Sequence, residues 1–299
     1  MELPRVDAAL LSQWCARHLA SPVAAERFRS GRVSVVVGAR LADGRQVVVK
    51  VRAPEPRIAH CFSVHSALYA AGFPAPEPIL PPTPFGRWTA TVEALVEGGG
   101  RAPTSGGAPR PYAAALASMV RLAAPLAARV DLDPKPSWNR WDHDEPGVWP
   151  TAENVDRPFH TVTGPDWLER AGRAAGERLA ACRDPYVIGH GDWFPENFRW
   201  RGEELYVAYD WDSLILAPEA VLVGFAAVHV APSTEEFAAF LSAYEAAAER
   251  EFGPDERAAA WAANLWARGW KAHKQVVTGE PVQALGEDEA RRLASLAGV

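Results

Sequence analysis

Cysteine is scarce in this 299-residue chain. Cys15, Cys61 and Cys182 are far apart, odd in number and never in CxxC spacing, which excludes a disulfide framework and a zinc knuckle. A basic excess is also lacking. With 31 Lys and Arg against 37 Asp and Glu, the net charge is -6, which argues against a nucleic-acid binder that works through bulk positive charge. The longest apolar run, Ala220 to Ala231, contains His229 and is too short to span a bilayer. The first residues carry Glu2, Arg5 and Asp7 rather than a basic stretch followed by an apolar one, so no signal peptide is expected. These absences predict a cytoplasmic protein without a membrane or nucleic-acid partner; monomer and homodimer both stay open. The 48% hydrophobic content and the length suit two lobes with sizeable cores.

Taken in order, Asp7 can cap a first helix that runs to Leu19. Between Arg32 and Arg52, Val33, Val35 and Val37 alternate, and Val47, Val48, Val49 and Val51 form a second β-branched run. Asp43-Gly44 between them is a hairpin signal, so two or three antiparallel strands are predicted, with Lys50 on the last. Arg57 to Ala71 reads as a helix with Ile58, Cys61, Phe62, His65, Leu68 and Tyr69 on one face. Two more strands are expected near Ile79–Leu80 and Arg87–Val96. Glu97 to Pro111, EGGGRAPTSGGAPRP, is a linker in composition, and the boundary between lobes 1–97 and 98–299 is placed at its start. Beyond it come an Ala-rich helix from Pro111 to Val130, with Pro125 expected to kink it, and an irregular stretch from Asp131 to Pro165 with six prolines and three tryptophans. Helices are predicted over Asp166–Cys182, Pro218–Val230, Thr234–Phe252 and Asp255–Thr278, the last with apolar residues on two faces.

The chemistry concentrates in Val187–Leu214, VIGHGDWFPENFRWRGEELYVAYDWDSL. A short apolar strand leads into His190-Gly191-Asp192. A loop closes at Asn197, and a hairpin ends in Asp210 and Asp212. Asp192, Asn197 and Asp210 thus fall within nineteen residues. Each alone is an ordinary turn residue. Together, two carboxylates and an amide oxygen spaced around a strand, a loop and a hairpin suit a phosphate–metal site with a base beside it.

HGDWFPENF and AYDWDS resemble the catalytic and metal-binding motifs of the aminoglycoside phosphotransferase and choline kinase family. There HGDxxxxN stands where protein kinases have HRDxxxxN, and an Asp-Trp motif stands for DFG. The likeness extends in order over most of the chain, through the hairpin with its lysine, the helix followed by GFPAPEP, the linker and the C-terminal helices. It implies an α+β, two-lobed, protein-kinase-like fold with a small antiparallel-sheet N-lobe and a mostly helical C-lobe. It also implies ATP (with GTP as the alternative) and Mg2+ as cofactors. Asp192 then corresponds to the catalytic base, Asn197 and Asp210 to the magnesium ligands, and Lys50 to the lysine that holds the α- and β-phosphates. His190 is expected to buttress the loop, and Asp212 to cap the next segment. Ser30, Gly31 and Ser34 are candidates for covering the phosphates. Glu93, Leu95 and Val96 belong to the segment whose backbone would meet adenine. Neither GxxxxGK[ST] nor GxGxxG is present.

Two features depart from that pattern or leave it open. Kinase-like folds pair the lysine with a glutamate on the first helix of the small lobe, and the core-facing positions Ile58, Cys61, Phe62 and His65 offer no acid. The resemblance implies a small-molecule acceptor, an aminoglycoside or other antibiotic first, a metabolite such as an amino alcohol, amino acid or sugar second. A non-transferring nucleotide-binding module is the reading from a different class. Asp142, Asp144 and Glu145 among the tryptophans of 138–149 would suit a cationic acceptor. Trp266, Trp270 and His273 are a second candidate lining, with core packing as the favoured reading.

Overall fold

The computed structural model describes residues 4–31, 33–101 and 109–299. Helix α1 (Ala8–His18) starts as expected, with the Asp7 carboxylate accepting from Leu10 N–H at 2.7 Å. A five-stranded antiparallel sheet follows. It is made of β1 (Val23–Ser30), β2 (Val35–Leu41), β3 (Gln46–Arg52), β4 (Pro78–Phe85) and β5 (Trp88–Ala94), in the order β1-β2-β3-β5-β4. The β-branched runs become the inner strands. Strand β1 was not anticipated. VAAERFRS has almost no apolar alternation because it is an edge strand whose charged side chains face water. The other edge, β4, carries four prolines, which an edge tolerates because it has no second neighbour to receive its N–H groups.

The alternation along β3 sets up the site. Val47, Val49 and Val51 are fully buried in a core with Trp14, Leu41, Phe85 and Val92. The period of two therefore sends Val48, Lys50 and Arg52 to the opposite face. Helix α2 (Arg57–Ala70) lies beyond Pro54 and Pro56. Its Cys61, Val64 and Leu68 belong to the larger core of the molecule rather than to the sheet's own.

That larger core is built by helices α3 (Pro109–Ala123), α4 (Asp166–Ala180), α5 (Glu219–Val230), α6 (Thr234–Ala248), α7 (Pro254–Thr278) and α8 (Glu287–Ala297). The expected kink at Pro125 appears as a 3-10 segment, Ala124–Arg129, continuing α3. Together Pro109–Arg129 is long and apolar enough to cross a membrane by composition alone, but Tyr112, Leu116, Met119 and Val120 are buried in the core. Helix α5 is apolar all round because it is enclosed. Val221, Leu222 and Val223 are each fully buried, a gain of about 1.5–3 kcal/mol per side chain from burial. Helix α7 is buried on both faces, as its pattern predicts. Helix α8 was missed, since only Ala290, Leu293 and Ala297 are buried and the signal is faint. Of the linker, 102–108 lies outside the described residues, and Pro109 already opens α3.

Two short antiparallel pairs hold the motif stretch. β6 (Tyr186–His190) pairs with β9 (Leu214–Pro218), and β7 (Phe198–Arg201) pairs with β8 (Glu204–Ala208). The register His190↔Leu214 fixes the HGD turn against the segment that follows Asp212.

Candidate active site

The HGD turn is set by close packing. Gly191 N–H donates to Ser213 O at 2.7 Å, and Trp138 Nε1–H donates to Gly191 O at 2.9 Å. A Cβ on residue 191 would lie 2.6 Å from Asn139 Oδ1 and 2.8 Å from Ser213 O, so only glycine fits. His190 is 1% exposed. Its Nδ1 faces Asp192 N–H at 3.2 Å and its Nε2 faces Tyr209 O at 2.9 Å. A backbone amide can only donate and a carbonyl only accept, so the ring is neutral with its proton on Nε2. Burial lowers its pKa and keeps it neutral. His190 therefore buttresses the turn, as the sequence reading expected.

Asn197 ends a 3-10 turn, Pro195–Asn197. Its Nδ2 donates to both Asp192 O and Asp192 Oδ2 at 2.9 Å, and Tyr209 N–H donates to Asn197 O at 2.8 Å. The loop is thereby closed onto the residue preceding Asp210. Asp210 itself has left-handed backbone angles, φ 67 and ψ 47, which aspartate tolerates better than most residues. Trp211 is buried beneath it, stacked on His65 at 5.2 Å.

Opposite these acids stand two cations from β3. Lys50 bonds Asp210 and lies 3.2 Å from Asp212 Oδ1, while Arg52 bonds Asp212 and reaches Glu55 at 3.2 Å. The side chains of Lys50, Arg52 and Asp212 are only 16%, 12% and 15% exposed. Burial would strip Lys50 of its proton, but Asp210 and Asp212 outweigh it and hold the pKa above the usual lysine value. Burial and the neighbouring Asp212 push Asp210 up to about 7. Asp212 resists burial through Lys50 and Arg52 and stays well below the usual carboxylate range. Glu93, on the face of β5 beside Lys50, is raised to about 7 by burial.

The missing helix glutamate is thus accounted for. The buried carboxylate facing Lys50 comes from Asp212 in the larger lobe, with Asp210 beside it, and Asp212 does not cap the next segment. Helix α2 supplies a cation instead. Arg57 is buried and donates to Leu132 O at 3.1 Å, Asp212 O at 2.8 Å and Leu214 O at 2.5 Å, tying the helix to the motif stretch. Sequence reasoning missed Arg52 and Arg57. A basic residue at a strand end or a helix start carries no signal of such a distant partner.

Gly31, Ser34, Lys50, Asp192 and Asp210 share one cleft of about 590 Å3. Gly31 has φ +135, and Ser34 O would lie 1.8 Å from any Cβ there, so the turn after β1 requires glycine. Asn197 acts on the cleft through Asp192. Glu93 faces a small adjoining cavity of about 40 Å3 that Lys50 and Asp212 also line. Leu95 N–H donates to Gln46 O at 3.0 Å, and Val96 O accepts from Tyr209 O–H at 3.0 Å. The expected hinge is thus stitched to β3 and to the residue before Asp210. Ser30 is the last residue of β1, paired with Val36. Among the described residues Ser30, Leu95 and Val96 do not line the cleft. Trp138 and Trp270 also line it, their rings 6.4 Å apart. Trp266 and His273 are core residues.

The model of the phosphotransferase enzyme family (APH) matches residues 24–273. The chain belongs to this family. It is a small-molecule kinase of protein-kinase-like, two-lobed fold. No curated protein sequence matches the chain. Among solved structures it is similar to the amicoumacin kinase hAmiN in complex with AMP-PNP, Ca2+ and Ami, at TM-score 0.61 and 16% identity over 91% of this chain and 86% of that one. A choline/ethanolamine kinase family protein from Mesorhizobium loti gives TM-score 0.60 at 17% identity, covering 98% and 94%. The spectinomycin phosphotransferase APH(9)-Ia, in complex with ADP and spectinomycin, gives TM-score 0.60 at 14% identity with the same coverage. At such identities the likeness is one of fold, and the residues of this member of the phosphotransferase family carry the rest.

Proposed function

We propose that this protein transfers the γ-phosphoryl group of ATP, with Mg2+, to a hydroxyl of a small molecule. The observation that carries this reading is Asp192, held by Asn197, in one cleft with the two acids and two cations of Asp210, Asp212, Lys50 and Arg52. Asn197 Nδ2 occupies Asp192 Oδ2, which orients the carboxylate and leaves Oδ1 to accept the proton of the acceptor hydroxyl. The acceptor's hydroxyl oxygen forms the new bond to the γ-phosphorus, the bond from that phosphorus to the bridging oxygen breaks, and ADP leaves. Lys50 holds the inner phosphates, and Gly31 and Ser34, which line the same cleft, cover them.

Among the described residues no cluster of three or more His, Cys, Asp or Glu could hold a metal by itself. This suits Mg2+, which takes one or two protein carboxylates and completes its shell with phosphate oxygens and water. Asp210 and Asn197 Oδ1 would hold Mg2+, which would neutralise the phosphates. The adenine would lie against the backbone of 93–96, where the lobes 1–97 and 98–299 meet.

For the acceptor, a specific observation favours a molecule with few positive charges over a polycationic aminoglycoside. Of the three loop acids, Asp142 is held by Lys135 at 2.7 Å and Glu145 by Arg140, and neither these two nor Asp144 lines the cleft. Glu153, which does line the cleft, accepts from Ser137 N–H and Oγ–H at 2.8 and 2.7 Å. Trp138, whose Nε1–H donates to Gly191 O next to Asp192, instead offers apolar ring surface in the cleft, suited to a sugar or aromatic ring.

The test is a panel of aminoglycosides, neutral sugars, amino alcohols and aromatic hydroxyl compounds with MgATP and MgGTP, read by mass for a phosphate adduct. Asp192→Asn should lower turnover about 10²–10⁴-fold while the melting shift with MgATP persists. A nucleotide-dependent melting shift with no Asp192-dependent adduct would refute phosphotransfer by this site.

A further inference from the structure

We propose that Arg52 is the second phosphate-binding cation of the cleft, placed to contact the terminal phosphate of the nucleotide while Lys50 contacts the inner ones. This rests on the reading above, in which the base lies at 93–96 and the phosphates at Lys50.

Strand β3 acts as a ruler. Val48, Lys50 and Arg52 share one face, and their partners on β5 are Glu93, Thr91 and Thr89 in turn. Val48 is thus level with the start of the hinge, Lys50 is one step of about 6.7 Å further, and Arg52 is another such step beyond. A nucleotide laid with its base at the hinge and its inner phosphates at Lys50 therefore continues toward Arg52. Arg52 lines the same cleft as Lys50, Asp192 and Asp210.

The chemistry of the side chain agrees. Arg52 is buried against Asp212 and Glu55 through its terminal nitrogens, and its Nε is buried without a hydrogen-bond partner. The guanidinium is held, yet its donor set is not exhausted. Asp212 has Lys50 as a second cationic neighbour, so Arg52 can turn from it without stranding the carboxylate. A metal–nucleotide complex remains anionic, and a planar guanidinium with several donors suits a terminal phosphoryl group better than a lone ammonium. Of the other basic residues lining the cleft, Arg140 bonds Glu145 and Lys274 reaches Asn154 Oδ1 at 2.9 Å. All three guanidinium nitrogens of Arg57 are on backbone carbonyls, and Lys135 is held by Asp133 and Asp142.

The test compares the affinities of MgADP and a magnesium complex of a non-hydrolysable ATP analogue, measured by calorimetry on the wild type, Arg52→Gln, Arg52→Lys and Lys50→Gln. Arg52→Gln should weaken the ATP analogue about 10–30-fold and ADP less than about 2-fold. Lys50→Gln should weaken both. Arg52→Lys, which keeps the charge beside Asp212 and guards against a folding defect, should recover part of the discrimination. Turnover of Arg52→Gln should fall about 10²-fold or more with the acceptor KM little changed. Equal loss of ADP and ATP-analogue binding in Arg52→Gln, or no loss of either, would overturn the assignment while leaving phosphotransfer intact. A wild type that binds neither nucleotide would overturn both.

Discussion

Asp212 is expected to be a stability residue as much as a functional one, and Asp212→Ala tests it. Its carboxylate bonds Arg52 and lies 3.2 Å from Lys50, and the three side chains are 12–16% exposed. Removing one partner of a buried ion pair costs about 3–5 kcal/mol, because the remaining charge stays desolvated. Here Lys50 keeps Asp210 and Arg52 keeps Glu55, so the expected loss is about 2–4 kcal/mol. For a chain of this size that corresponds to a fall in Tm of about 3–6 °C. Asp210→Asn is the matched control. Burial and Asp212 already disfavour the Asp210 charge, so neutralising it should change stability by less than about 1 kcal/mol while removing the metal-dependent response to nucleotide. Thermal and urea unfolding at neutral pH, without metal or nucleotide, measure both. Adding Arg52→Met to Asp212→Ala should recover part of the loss by removing a stranded cation. A Tm for Asp212→Ala within about 2 °C of wild type, or a larger loss in Asp210→Asn, would show that the buried charges are not coupled as described.

Three further outcomes are expected. His65 is buried, its Nε2–H donates to Pro76 O at 2.8 Å, and burial lowers its pKa to about 4. Its contribution is therefore present above the unfolded value near 6.5 and lost as pH falls from there to about 4. The total is up to roughly 3 kcal/mol, and an unfolding titration of His65→Gln should show a shallower acid slope than wild type. Gly191→Ala would put its Cβ 2.6 Å from Asn139 Oδ1 and 2.8 Å from Ser213 O. The turn must shift, so kcat should fall about 10²-fold at a stability loss of about 1–3 kcal/mol, and wild-type kcat would refute the close packing. Asn197→Ala frees the Asp192 carboxylate and removes an oxygen donor. The Mg2+ concentration needed for half-maximal turnover should rise about 10–100-fold, and an unchanged Mg2+ requirement would remove Asn197 from the metal site.

What was legible in the sequence divides by the reach of the interactions. The Asp192–Asn197 bond spans five residues and the His190–Tyr209 bond nineteen, so local strand, turn and hairpin signals are enough to place those groups together. The β-branched runs of β2 and β3 declare themselves because both strands have neighbours on either side and bury one face. Strand β1 has no such signature, since an edge strand needs charge rather than alternation. The partners of Lys50 and Arg52 lie 160 residues away, and those of Arg57 lie 75, 155 and 157 away. No periodicity encodes those pairings, because they depend on how helix α2 meets the segment after Asp210. The acid therefore need not come from the helix. Lys50 needs a buried carboxylate within a few ångströms, and any element that closes over β3 can supply one. Here a turn two residues beyond the expected metal ligand does so. With the acid moved to that turn, α2 is free to carry Arg57, whose donors satisfy three backbone carbonyls of the larger lobe. The same contact that completes the lysine's surroundings also joins the two halves of the cleft. Loss of Asp212 should consequently be felt in stability as well as in turnover.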